Sequence, residues 1–340
     1  MSMSTTSGSV EHSHKIGKFF LKALLVLSVL LIVGAFSYAK LFGPTDVNAP
    51  TEDFFVQEDT DTATIAQELT DKGYVRGNWI FDIAYIREAY GNKILPGGYK
   101  ISRSMDAWTI ASTLLEPPYF AWIKIPVGVR KEQIAQKLAD SLGWSDDKKQ
   151  AFLDATNAHG KEYAEGVYFP DTYFIPTDLS PGEVEEKIRS HFTAVFEPYS
   201  KEAVAQNMPW PTVLTIASLI QREAGSASDM PIISGIIQNR LKVGMPLAID
   251  ATLQYMDGNE TDGWWVAPDS ARTYPNGPFN TYKNKGLPPH PIAEPGLTAI
   301  EAALHPTATD CLFYIHDNKG NMHCSASYKG QQANVQKYLK

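Results

Sequence analysis

The chain has 340 residues, 44% of them hydrophobic and 20% charged, which suits two or three folded domains and excludes a wholly disordered chain. Its formal net charge is −8. That argues against nucleic acid as a partner, because phosphates need basic surface, and favours a neutral or cationic ligand or a polysaccharide.

Residues 1–18 are rich in Ser, Thr and His and read as a disordered tail. Residues 19–42 are apolar apart from Lys22 and Lys40, with Ser28 and Ser37 tolerated. The run from Ala23 to Phe42 roughly meets the ~20 residues a bilayer needs. Lys15, Lys18 and Lys22 precede it, so the positive-inside rule puts the N-terminus in the cytoplasm and the rest outside. A cleavable signal peptide, cut near Ser37-Tyr38-Ala39, is the rival reading, but the run exceeds the ~7–15 residues of a usual signal core. Residues 43–52 read as a short polar linker.

From Asp53 the pattern alternates. Phe54-Phe55-Val56 reads as a strand, Thr64 to Lys72 as an amphipathic helix stopped by Gly73, and Trp79 to Tyr90 as a second helix. Gly98 to Ile101 reads as a strand and Ala107 to Leu115 as a helix. Trp122 to Pro126 and the helix from Lys131 to Leu142 open a second, weakly similar unit. Helices dominate between Pro181 and Leu241, and short strands and Pro/Gly-rich loops from Met245 to Pro295. Leu297 to Leu304 is a helix. Cys311 to Ile315 and Met322 to Ala326 read as a hairpin around Asp317-Asn318-Lys319-Gly320, and Gln331 to Leu339 as a last helix. Cys311 and Cys324 could face each other across the hairpin, but register decides that and is not readable here. With His316 and His323 they lack the spacing of a zinc site, and no cofactor is expected.

Glu223 draws most attention. Pro211 suits the first turn of a helix running from Thr212 to Glu223. On that helix Glu223 shares a face with Ile220, Leu219 and Ile216. A carboxyl on an apolar stripe either swings out to solvent at the helix end or is buried and held protonated. On the helix ending near Leu241, Arg240 lies on the side of Ile233, Ile236 and Ile237, and a buried Arg needs carboxylate or carbonyl partners. Asp171 or Asp250 could supply one. Trp264, Trp265, Tyr274 and Tyr282 are candidates either for sugar stacking or for packing under long loops.

Several segments together resemble one family. Ala217-Ser218-Leu219-Ile220-Gln221-Arg222-Glu223 is similar to the catalytic helix of the MltG (YceG-like) family, the membrane-anchored endolytic murein transglycosylases. Glu165-Gly166-Val167-Tyr168-Phe169-Pro170-Asp171-Thr172-Tyr173, Asn239-Arg240-Leu241, Asp250-Ala251-Thr252-Leu253-Gln254-Tyr255, Asn280-Thr281-Tyr282 and Gly286-Leu287-Pro288-Pro289 through Pro295-Gly296 follow in the family's order. Gln221, Ala248 and His290 depart from its usual residues, as does the stretch Cys324-Ser325-Ala326-Ser327.

The resemblance implies an α+β chain: a single N-terminal transmembrane helix (19–42), a LysM-like α/β region (53–163) and a mixed α+β catalytic domain (164–340). The LysM-like region would bind glycan or merely position the catalytic domain. The resemblance also implies a lyase that cuts the MurNAc–GlcNAc bond of peptidoglycan to leave 1,6-anhydro ends and so terminates nascent strands. Partners would be glycan strands, the cell membrane and peptidoglycan synthases. Glu223 would be the acid/base. Asp250, Thr252, Tyr255, Asn280 and Tyr282 would bind substrate, while Glu165, Asp171, Asn239 and Arg240 would support the cleft. The alternatives are a hydrolytic muramidase, which needs a second carboxylate about 5–9 Å from the acid, and a non-catalytic wall-binding protein.

Overall fold

A computed structural model describes residues 8–160, 165–267 and 276–339, with residues 8–21 and 23 as backbone only. Of the tail expected to be disordered, residues 1–7 lie outside the described residues. From Gly8 the backbone is helical, forming α1 (Gly8–Phe42). Within it, Leu24–Phe42 is long and apolar enough to cross a membrane, and none of it is buried within the protein.

The chain divides into two compact units, Met1–Phe120 and Ala121–Lys340. The first holds β1 (Thr51–Val56), α2 (Thr62–Asp71), α3 (Asn78–Ala89), β2 (Gly97–Ser102) and α4 (Ala107–Leu115). β1 and β2 pair antiparallel, Thr51 opposite Ser102 and Val56 opposite Gly97. The strand period turns Phe54 and Val56 inward, where they meet Ile65, Leu69, Ile80, Phe81, Ile101, Ile110 and Leu114. Asp61 and Asp106 cap α2 and α4 by accepting from the N–H groups of Thr64 and Thr109, each worth about 1 kcal/mol. The polar stretch after α1 is fastened to this unit. Arg76 donates to the carbonyls of Gly43 and Pro44 at 2.6 and 2.7 Å, and Thr45 donates its hydroxyl to Gly73 O at 2.6 Å.

The second unit begins with β3 (Phe120–Lys124), α5 (Lys131–Leu142), α6 (Asp146–Asn157) and β4 (Thr172–Pro176), with β3 beside β4. It continues through α7 (Pro181–Ala205), α8 (Trp210–Glu223), α9 (Met230–Lys242), α10 (Asp250–Asp257) and α11 (Leu297–Leu304). The hairpin β5 (Phe313–His316) and β6 (Met322–Ser325) follows, then α12 (Tyr328–Tyr338). α8 is its axis. Every residue from Val213 to Ile220 is buried, because α7, α9, α10 and α11 all pack against it. The single apolar stripe read from the sequence is therefore a helix enclosed all round. Short strands were expected between Met245 and Pro295. Instead, Asp250 opens α10, and among the described residues of this stretch pairing is limited to the isolated bridges Pro246–Lys285 and Asn259–Gly263. Cys311 and Cys324 form a disulfide that closes the hairpin.

Candidate active site

α8 ends at Glu223, and its carboxyl looks into a cleft. Ile236, Ile237 and Arg240 of α9 form one wall. The turn Leu247-Ala248-Ile249-Asp250 forms another, and Tyr282 and Tyr314 complete it. Ala248 takes a left-handed backbone, φ 48°, a conformation that costs energy in a residue with a Cβ and is often found where a loop shapes a site.

The Tyr314 hydroxyl donates to Glu223 Oε2 at 2.5 Å, and the Ala251 backbone N–H faces the same carboxyl. Burial pushes the Glu223 carboxyl above its ordinary value. The Tyr314 bond opposes that shift, the Asp250 charge adds to it, and the Ala251 N–H opposes it again. The net direction is upward, toward a neutral acid whose conjugate base has a donor already in place. Burial, and then the facing Glu223, push the Tyr314 phenol well above its usual range, so it remains a donor.

Tyr314 depends on α9. Asn239 donates to Thr309 O and Cys311 O at 2.6 and 3.1 Å, and Arg240 Nε to Leu312 O at 2.7 Å. A second Arg240 nitrogen donates to Leu247 O, so one guanidinium ties the hairpin to the cleft turn. Its partners are carbonyls rather than Asp171 or Asp250. Gln331 of α12 donates to Tyr314 O at 2.9 Å. Nearby, His316 lies 3.3 Å from the buried Asp229.

The other expected site residues separate into two groups. Asp250 and Tyr282 line the cleft and share a very short hydrogen bond from the phenol to the carboxylate. Thr252, Tyr255 and Asn280 do not line it. Thr252 is buried, with its hydroxyl engaged by Ile249 O and Thr281. Asn280 is buried and accepts from the N–H groups of Tyr282 and Lys283, fixing the turn that presents Tyr282. Tyr255 points to Glu165, donating at 3.2 Å. Asp171 accepts from Thr172 N and lies 2.8 Å from His191. Trp264 and Trp265 stack on the guanidinium groups of Arg130 and Arg222, 4.8 and 3.8 Å away. Tyr274 lies outside the described residues.

Glu165 has a partner that the sequence reading missed. It shares a hydrogen bond with Glu294, and both are fully buried. Glu294 accepts from the N–H groups of Gly166 and Tyr168 at 2.9 and 2.8 Å, and Glu165 from Lys131 N at 2.8 Å. Burial first, then mutual charge, raises the Glu165 carboxyl well above its ordinary value, and burial raises Glu294 too. Two carboxylates in contact cannot both ionise there. Glu294 has the backbone donors that favour an anion, so Glu165 holds the proton. Gly166 closes the arrangement. At φ 83° it sits where any Cβ would fall 2.7 Å from Pro291. The loop bearing Glu294 also bonds α8 directly, Ile292 N to Ser218 Oγ and Gly296 N to Gln221 Oε1, at 3.1 and 3.0 Å. The segments around Glu165 and Pro291 thus brace α8 from behind. Tyr314 was legible only as part of a strand; the alternation that puts Tyr314 and His316 on one side was the available signal.

Known proteins resemble this chain along most of its length. A Bacillus subtilis protein named endolytic murein transglycosylase is 29% identical over 334 residues, 91% of each chain. A Streptococcus pneumoniae protein of the same name is 27% identical over 361 residues, spanning 94% of this chain and 65% of its own. The crystal structure of a YceG-like protein from Listeria monocytogenes superposes with a TM-score of 0.65 at 24% identity, covering 83% of this chain and 98% of that one, and so shares the fold. Residues 54–337 match the YceG-like family, to which this chain therefore belongs.

Proposed function

We propose that this chain is a membrane-anchored endolytic murein transglycosylase with Glu223 as its single acid/base. The observation that carries the reading is a buried carboxyl shifted toward its neutral form, yet held by the Tyr314 hydroxyl, a donor suited to its anion. Neutral Glu223 protonates the glycosidic oxygen as the bond to the muramoyl C1 breaks. The resulting carboxylate, steadied by Tyr314, takes the proton from the muramoyl 6-hydroxyl as that oxygen closes on C1. Water takes no part, and the product carries a 1,6-anhydro end. Family membership and the names of the relatives support the substrate class.

Asp250 faces the same cleft, which supports one rival: a hydrolase with Asp250 activating water. Mass spectrometry of murein digested by the protein separates the two, because an anhydro end is lighter by one water. Reducing ends alone would overturn the lytic reading.

In this reading Leu24–Phe42 is the anchor, with the N-terminus cytoplasmic and the catalytic domain, from about Ala164, outside. Accessibility of labels at either end in spheroplasts tests that orientation, and a soluble chain starting near Lys40 would refute it. The first unit's strand–helix–helix–strand order supports a LysM-like role in holding glycan. Failure of an inactive Glu223→Gln chain to retain murein would remove that role. Cutting nascent strands beside a synthase is the corresponding cellular role; unchanged glycan lengths in cells carrying only Glu223→Gln would exclude it.

A further inference from the structure

We infer that the outward face of α3 lies in the interfacial layer of the membrane, seated on phospholipid; this deepens the anchor reading above and rests on it. α3 is apolar on two sides. Ile80, Phe81 and Ala84 enter the core of the first unit. Trp79, Ile83, Ile86 and Tyr90 point away from it, with 51%, 45%, 76% and 88% of their surfaces exposed. Trp79, Ile83 and Ile86, spaced four and three residues apart, lie on one stripe, and Tyr90 follows at the C-cap. Large apolar side chains left in water forgo the gain of burial, and contiguous stripes of this kind mark interaction surfaces.

Lipid is the occupant because of where the stripe is fastened. Phe42, the last residue of the apolar helix, stacks on Trp108 at 5.1 Å and meets Trp79 edge-on at 6.1 Å. Two turns further along α3, the Arg87 guanidinium covers the other tie, 4.7 Å from Trp108. The beginning and the later part of α3 therefore both connect to the point where the apolar helix ends. Arg76, bonded to the Gly43 and Pro44 carbonyls, leaves no slack between them. Trp79 and Tyr90 bracket the stripe, and such rings favour the headgroup level. Lys93 is exposed beside it, with a stem long enough to reach headgroups.

The test uses the full-length chain reconstituted into phosphatidylethanolamine–phosphatidylglycerol vesicles. An environment-sensitive fluorophore is placed on Ile86→Cys, and in a second protein on Ile83→Cys in case the first fails to fold. Lys148→Cys, exposed on α6, is the control. The native cysteines are paired and take no label. The stripe labels should emit to the blue of the control and resist aqueous iodide. Acyl-chain bromines should quench them most near the headgroup end, as expected for a helix about 5–10 Å into the boundary. Iodide quenching equal to the control, in chains that float with the vesicles, overturns the inference while leaving the anchor intact. Protection from iodide without quenching by brominated lipid also overturns it, assigning the stripe to a protein surface. Chains that fail to float overturn the anchor reading and this inference together.

Discussion

Replacing Glu165 by Gln should flatten the pH dependence of stability without dismantling the brace behind α8. In the native protein Glu165 is the carboxyl that keeps its proton, donating to Glu294 and accepting from Lys131 N. A Gln side chain does both, its amide N–H replacing the acid O–H, and the Tyr255 hydroxyl can turn to accept. In the unfolded chain a glutamate titrates near 4.3, so at neutral pH folding must take up one proton. A raised native value means the stabilisation is complete below that ordinary value and is lost as pH rises above it. The loss is about 1.4 kcal/mol per pH unit for one proton. Between about pH 5.5 and about pH 7.5 the wild type should lose more stability than the variant, by at most about 1.4 kcal/mol per pH unit. Urea unfolding of the full chain in detergent, followed by tryptophan fluorescence at both pH values, measures this. Parallel losses in the two proteins would refute the assignment of a retained proton to Glu165.

Glu223→Gln should fold normally and lose about 10²–10⁴-fold in turnover, read as release of anhydro-muropeptides; near-normal release would sink the acid/base role. Tyr314→Phe removes a bond that lowers the Glu223 value. The alkaline limb of the pH–rate profile should move up while maximal activity falls about 10–100-fold, the worth of one hydrogen bond to a charged group; an unmoved limb counts against the contact. Asp250→Asn removes a charge that raises the Glu223 value, so the same limb should move down, some activity should remain, and every product should still carry an anhydro end. Loss of all activity together with reducing-end products from the wild type would make Asp250 the second carboxylate of a hydrolase. Reducing Cys311–Cys324, 13 residues apart, should cost about 3 kcal/mol and lower the melting temperature of the second unit; an unchanged melting curve would show that α9 alone holds the hairpin.

Much of this was legible locally. Helix periodicity fixed α4, α5 and α11 at the bounds now seen, because each shows a clear apolar stripe with a recognisable start or stop. Glu223 stood out because a carboxyl on an apolar face is chemically costly. α10 was not legible, since the Pro/Gly density of the surrounding loops masked a short helix. Nor were the long-range partners: the Glu165–Glu294 contact, the Arg240 carbonyls and Tyr314 join residues far apart in the chain, and no local pattern encodes such pairings. The motifs that carry the family resemblance misled on one point. Thr252, Tyr255 and Asn280 sit in a memorable stretch, yet their side chains hold loops together away from the cleft. A short motif does not distinguish a residue that touches a ligand from one that shapes the backbone nearby.

The acid and its phenol partner are separated by 91 positions, and that distance gives the protein a timetable. α8 leaves the ribosome well before β5, and until Tyr314 arrives Glu223 ends a helix with one wall of its cleft missing. Water would then reach the carboxyl and remove the burial that raises its hold on a proton. On the function proposed above, the cleft is complete only once the hairpin is seated against α9. A chain stopped at Pro306 should carry the acid and yet show no lytic activity, and should recover it when a separately supplied C-terminal segment docks. Full activity in the shortened chain alone would show that the hairpin only decorates a finished site.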